Sequence, residues 1–118
     1  MTGTVEPTIF DRIVKGEIPC TKVYEDDTVL AFKDISPVAP VHILLIPKQR
    51  DGLDRLSLAE ERHKDLLGHM MVSVAKVATA VGLSDYRIVI NDGAKAGQSV
   101  FHLHMHIIGG GTFSWPPV

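Results

Sequence analysis

Between Val100 and Ile108 the chain alternates without interruption. His102, His104 and His106 occupy the even positions, while Phe101, Leu103, Met105 and Ile107 occupy the odd ones. Successive side chains of a strand project to opposite faces, so a period of two predicts a strand over 100–108 with one apolar face and one imidazole face. Val100 shares the imidazole face. Burying the odd-numbered face anchors such a strand in a sheet, and that burial displays three imidazoles in a row on the other side.

The rest of the chain supplies the partners. Residues 1–7 read as a flexible lead-in. Ile9, Phe10, Ile13 and Val14 recur at helical spacing, with Thr8 placed to cap the start and Pro19 to stop the helix. Lys22–Glu25 and Thr28–Phe32 predict two strands around Asp26-Asp27. Val41–Ile46 is a nearly continuous apolar run that predicts a central strand, and Tyr86–Asn91 predicts another. The loops between them are marked by Pro37, Pro40, Pro47 and Gly93. Ser57-Leu-Ala-Glu60 matches a capping box, and Leu66, Leu67, Met70, Met71, Val74, Val77, Ala78 and Val81 follow at helical spacing. This predicts one long helix over 57–81, closed by Gly82. Met70 and Met71 read as core filler, and His63 and His69 as surface or boundary residues of that helix. About five strands with hairpin-like links and one long helix read as α+β with an antiparallel sheet, in a single domain over 8–118 with a tail over 109–118.

Bulk properties exclude several roles. The 118 residues carry a net charge of −2, which gives no electrostatic ground for a nucleic-acid partner. A single cysteine, Cys20, permits no intrachain disulfide and fits a reducing compartment, so a cytoplasmic location is expected. No stretch has the length of a membrane span, and the N-terminus lacks the basic flank and apolar core of a signal peptide.

Three readings of the histidines compete. In the first they simply fill the half-exposed face of a sheet. In the second they ligate a metal, as His-x-His on a strand can supply two zinc ligands; but at about 3.3 Å of rise per residue His102 and His106 start about 13 Å apart, too far to share one ion easily. Or they catalyse. A neutral imidazole attacks with one nitrogen while its other, protonated nitrogen donates to a fixed acceptor. A neighbouring histidine then holds phosphate oxygens or passes a proton. Gly97-Gln-Ser99, just ahead of the strand, offers loop amides for an anion and a hydroxyl for a leaving group.

The motif His102-Leu-His-Met-His-Ile-Ile108 resembles the signature of the histidine-triad (HIT) superfamily, in which three histidines alternate with apolar residues. Further segments resemble its Hint branch, the purine nucleotide phosphoramidases. These are Ile9-Phe-Asp-Arg-Ile13, Glu17-Ile-Pro19, Val23-Tyr-Glu-Asp26, Ala31-Phe-Lys-Asp-Ile-Ser-Pro37 and Ala39-Pro-Val-His-Ile-Leu-Leu-Ile-Pro-Lys48. They continue with Leu66-Leu-Gly-His69, Tyr86-Arg-Ile-Val-Ile-Asn91, Gly97-Gln-Ser-Val100 and Trp115-Pro-Pro117. The resemblance runs from about residue 8 to 117.

The resemblance implies a HIT-like fold. Each protomer has a five-stranded antiparallel sheet with one long and one short helix, and two protomers form a homodimer with a ten-stranded sheet. It implies hydrolysis of the P–N bond of purine nucleoside phosphoramidates, and of aminoacyl adenylates, through a nucleotidyl-histidine, with no cofactor. His104 matches the nucleophile and His106 the contact to phosphate and leaving group. His102 matches the residue whose carbonyl orients the nucleophile, and Ser99 the hydroxyl near the leaving group. Asp34 matches the ribose-binding acid, with Phe32, Ile35, Ile9 and Phe10 around the base. Asn91, Gly97 and Gln98 match phosphate-side contacts, and Trp115 a contribution across the dimer. Asp34 and Asn91 equally fit as turn residues, and Phe10, Ile13 and Phe32 as core.

Two departures stand out. Many relatives bind zinc through Cys-x-x-Cys where this chain has Thr8 and Asp11, so no metal is expected. Many also carry a fourth active-site histidine after the Ile-Pro-Lys strand, where this chain has Arg50, a cation able to hold a phosphate bidentately; His42, on the preceding strand, is no obvious substitute. Two other functions stay open: a nucleotide-binding regulatory module with little turnover, and a dinucleoside polyphosphate hydrolase of the Fhit type, against which the Trp115-Pro-Pro tail argues.

Overall fold

The computed structural model describes residues 7–117; the expected lead-in over 1–7 lies outside the described residues except for Pro7. Five strands form one sheet: β1 Lys22–Glu25, β2 Val29–Lys33, β3 Val41–Pro47, β4 Tyr86–Val89 and β5 Met105–Gly109. Their spatial order is β1-β2-β3-β5-β4, and every pairing is antiparallel. Two α-helices, α1 (Ile9–Val14) and α2 (Lys64–Ala80), lie against it.

The sheet centre is covered on both faces, which is why β2 and β3 read as nearly continuous apolar runs, interrupted by His42 and ended by Lys33, rather than alternating ones. Val29, Ala31, Ile43, Leu45, Met105 and Ile107 form a core with Met70, Val74 and Val77 of α2. Leu30, Phe32, Leu44 and Ile46 form a second core with Phe10 and Ile13 of α1. Each such side chain contributes about 1.5–3 kcal/mol when fully buried. The even-numbered residues of β3 and β5 therefore face α1, and this side carries His42 and His106.

Several expected boundaries move. The histidine strand begins at Met105, not Val100. β3 pairs with β5 only as far as Leu45↔Met105. Beyond it, Pro47 has no amide to donate and its carbonyl accepts instead from the His102 ring, Nε2 at 2.8 Å. Residues 100–104 thus leave the ladder. The long helix begins at Lys64, not Ser57, after short 3-10 turns at Leu56–Leu58 and Glu61–His63. The Ser57 hydroxyl donates to Asp92 (3.2 Å) instead of capping α2. His63, expected at the surface or boundary, is buried: its Nδ1 accepts from Glu60 N (2.9 Å) and its Nε2 donates to the Asp51 carbonyl (2.9 Å). α1 stops at Val14, before Pro19, because Gly16 turns the chain at φ +79. Its start is as expected: Thr8 accepts from the amides of Phe10 and Asp11, and Asp11 completes a capping box. β4 ends at Val89, short of Asn91. Among the described residues no helix is long and apolar enough to cross a membrane.

Candidate active site

The three imidazoles gather on the α1 side of the sheet, around Phe10. The His102 and His104 rings lie edge-on to Phe10 at centroid distances of 5.7 and 5.1 Å, and His104 lies 5.1 Å from His106. They are not displayed equally. His102 is wholly buried, His104 nearly so, and His106 is half-buried. A cavity of about 330 Å³ opens above them between α1, β2 and the 99–104 segment. Of the residues singled out in the sequence, it brings together Ile9, Phe10, Phe32, Asp34, Ile35, Ser99, His104 and His106. Apolar side chains dominate the lining, with a few polar groups among them, a composition suited to a ligand that is part apolar and part charged.

The hydrogen bonds assign a tautomer to each ring. His104 Nδ1 lies 2.8 Å from the His102 carbonyl, which can only accept. The proton is therefore on Nδ1, and Nε2 keeps a lone pair. His102 Nε2 donates to the Pro47 carbonyl. A fourth histidine, His42, settles His106. His42 Nδ1 accepts from the Val38 amide at 3.1 Å, so a neutral His42 carries its proton on Nε2. That nitrogen lies 2.8 Å from His106 Nδ1 and donates to it. His106 then holds its own proton on Nε2, the nitrogen left for the cavity.

Burial disfavours the charged form of the three triad rings. It lowers the pKa of His104, partly offset by the His102 carbonyl and the Asp34 carboxylate. Burial, together with the neighbouring His104 and His42, takes His106 down to about 4. Burial also lowers His102, opposed by the Pro47 carbonyl and Asp11.

The site residue that sequence reading missed is His42. Its signal was parity. It lies on β3 opposite Ile108, two places from the Leu44↔His106 pair, so its side chain emerges diagonally beside His106. The register needed to see this exists only once the sheet is formed.

A family model for the HIT domain matches residues 15–113. The chain belongs to the HIT family. It is 58% identical over 117 residues to a protein of Arabidopsis thaliana described as adenylylsulfatase HINT1, a match covering 98% of this chain and 80% of that one. It is 57% identical over 112 residues to a 14 kDa zinc-binding protein of Zea mays, covering 94% and 88% of the two chains. These similarities place it in the Hint branch. A solved HIT family hydrolase from Legionella pneumophila superposes with a TM-score of 0.89 at 40% identity, covering 95% of this chain and all of that one. The fold is the HIT fold.

Gln98, Asn91 and Trp115 sit outside the cavity lining, and Asp34 lies at its edge with a second set of contacts. The Gln98 side chain is buried. It accepts from Gly93 N (2.8 Å) and donates to the carbonyls of Asp54 (2.7 Å) and Val100 (3.1 Å), so it braces the loop. Asn91 donates to the Gly97 carbonyl at 3.5 Å, at the turn where Gly97 takes φ +96. Asp34 serves two ends: Oδ1 accepts from Ser36 N (2.8 Å), and Oδ2 lies 3.4 Å from His42 Nε2. Trp115 is 83% exposed, and the tail is tied to β4 by Arg87, which donates to the Ser114 carbonyl and stacks on Phe113.

Zinc does not fit where many relatives hold it. Thr8 and Asp11 stand in place of the two thiolates, and the Arg50 guanidinium already lies 3.2 Å from Asp11. The reading of Arg50 as a phosphate holder is corrected: its guanidinium is turned to Asp11, Asp54 and the Phe101 carbonyl, outside the cavity lining. The ligand atoms of Asp34, His42 and His106 lie within 4.8 Å of one another. The 2.8 Å between the two ring nitrogens is a hydrogen-bond distance, shorter than the roughly 3.3 Å between two nitrogens on one tetrahedral zinc.

Proposed function

We propose that this protein hydrolyses purine nucleoside phosphoramidates by attack of His104 Nε2 on the α-phosphorus. The observation that carries the reading is the 2.8 Å bond from His104 Nδ1 to the His102 carbonyl, which leaves a neutral ring with its lone pair at Nε2. The purine lies among Ile9, Phe10, Phe32 and Ile35, and Asp34 accepts from the ribose hydroxyls. His106 Nε2–H donates to a phosphoryl oxygen and stabilises charge that grows there in the transition state. Gly97 and Ser99 lie on the leaving-group side.

Bond changes follow in two steps. A bond forms from His104 Nε2 to phosphorus while the P–N bond breaks, the amine departing on a nitrogen protonated in the zwitterionic substrate. Water then attacks the nucleotidyl-histidine, releasing the nucleoside monophosphate and restoring the neutral ring. Since the groups named supply nucleophile and donors, no cofactor enters.

Adenylylsulfate is a second candidate substrate, favoured by the similarity to the Arabidopsis protein. The same attack serves it, and sulfate leaves without a proton. The two are separable by pH. Phosphoramidate cleavage should slow once its nitrogen loses the extra proton, and sulfate release should not.

Homodimer formation through the free edge of β4, giving a ten-stranded sheet, belongs to the same proposal, as does a cytoplasmic location. In this reading Trp115, exposed on a tail tied to β4 through Arg87, reaches the partner's cavity; its exposure supports this. The test is incubation with adenosine 5′-phosphoramidate and with adenylylsulfate, watching for AMP and trapping labelled histidine by acid-free digestion. Label on His104, and none in His104→Ala, is the expected result; turnover undiminished in His104→Ala would remove His104 from the role.

A further inference from the structure

The segment that carries the nucleophile has no strand ladder to hold it. Residues 100–104 precede β5, yet the His102 carbonyl must sit within hydrogen-bond distance of His104. Its anchors come chiefly from the end of β3 and the stretch after it: Pro47 takes the His102 ring, Leu53 takes the Leu103 amide (2.9 Å), and Arg50 Nη1 donates to the Phe101 carbonyl (3.2 Å). Arg50 also reaches Asp54 Oδ1 at 3.0 Å and Asp11 Oδ2 at 3.2 Å. The side chains of this cluster are largely shielded, at 12% exposure for Arg50, 17% for Asp11 and 11% for Asp54.

Asp11 links the cluster to the imidazole row. Its Oδ1 lies 3.3 Å from His102 Nδ1, and the Thr8 hydroxyl lies 3.4 Å from the same nitrogen. The charged or titratable groups around His102 are thus Asp11 from α1, Arg50 from the loop after β3, and His104 on its own segment. A carboxylate at this distance favours a protonated ring, and the guanidinium opposes it. We propose that Arg50 is a positioning residue for the reaction: it clamps the His102 segment through the Phe101 carbonyl and holds the Asp11 carboxylate that faces His102 Nδ1. The proposal rests on reading His104 as that nucleophile. A cationic His102 would stand next to His104 as His104 itself gains positive charge on bonding phosphorus. Lysine cannot replace the clamp, because one ammonium does not reproduce the planar fork that spans three acceptors.

The test uses Arg50→Gln, Arg50→Lys and the double variant Asp11→Asn/Arg50→Gln in the full chain. Arg50 does not line the cavity, so kcat should fall about tenfold in Arg50→Gln while KM stays within about twofold. Arg50→Lys should recover only part of the loss. Nitrogen NMR of the His102 ring gives a readout that a merely structural role leaves alone. In Arg50→Gln the ring should protonate at higher pH than in the parent, and adding Asp11→Asn in the double variant should reverse that move. If Arg50→Gln does not fold, Arg50→Lys, which retains the charge, carries both measurements against the parent: a lowered kcat with His102 still neutral supports the clamp. Unchanged kcat in a folded variant overturns the proposal, and so does a kcat loss in Arg50→Gln with His102 titration unmoved. The ring titration needs no turnover, so it fails independently of His104→Ala, which tests the nucleophile.

Discussion

His42→Leu isolates one hydrogen bond in the site. The substitution removes the donor that fixes His106, Nε2–H to Nδ1 at 2.8 Å, and leaves His106 in place. A typical hydrogen bond contributes about 0.5–1.5 kcal/mol net. That is the bias holding His106 in the tautomer with its proton on Nε2. Without it the other tautomer becomes populated, and the fraction of protein able to donate to the phosphoryl oxygen falls. The expected loss in kcat is therefore about twofold to tenfold, since 1.4 kcal/mol corresponds to a factor of ten. His106→Ala removes the donor altogether and should cost about 10²–10³ in kcat, the usual range for an oxyanion contact. Steady-state hydrolysis of adenosine 5′-phosphoramidate by the two variants checks the ordering. A second readout is the His106 titration, which should rise above about 4 once the neighbouring His42 ring is gone. A loss in His42→Leu as deep as that in His106→Ala would refute the reasoning, because His42 would then act on substrate directly. So would an undiminished kcat.

Other outcomes follow from the same geometry. His104→Ala should abolish turnover yet bind AMP within about tenfold, or about 1.4 kcal/mol, by calorimetry. Because burial lowers the His104 pKa from its ordinary 6.5, the nucleophile stays neutral under mild acid, and kcat/KM should hold steady from pH 8 down to about 6.5 and fall only below it. The lowered rings also act on stability. The unfolded chain takes up protons near pH 6.5 while His106 resists until about 4, so thermal stability should be full above 6.5 and drop as pH falls through that window. Gly93→Ala should lower stability by about 1–3 kcal/mol in denaturant titration, since φ is +102 there and an added Cβ would lie 2.7 Å from Arg55 Nη2. Removing residues 112–118 should leave a dimer by sedimentation but change which leaving groups are accepted; a monomer would place the tail in the dimer bond.

The sequence by itself determined most of the elements and the face that each side chain takes. Alternation over 101–107 put the histidines and the apolar residues on opposite sides, and the apolar side is buried against α2. The helical stripe from Leu66 to Val81, the capping Thr8 and the run Val41–Ile46 each encode their state locally, through spacing and propensity. What the tertiary structure decided lies where local signals meet a competing partner. Ser57-Leu-Ala-Glu60 has the residues of a capping box, but Asp92, 35 positions away, takes the serine hydroxyl, so α2 starts at Lys64. Val100–His104 has the pattern of a strand, but its neighbour β3 runs out at a proline. His42 carries no motif, and it enters the site only because strand register sets it diagonally beside His106. Arg50 occupies a position that suggested phosphate binding, yet two shielded carboxylates and a carbonyl claim its fork. Spacing along a chain fixes which face a side chain takes; the tautomer of a ring depends on which donor or acceptor arrives from a distant segment, and that is a property of the fold.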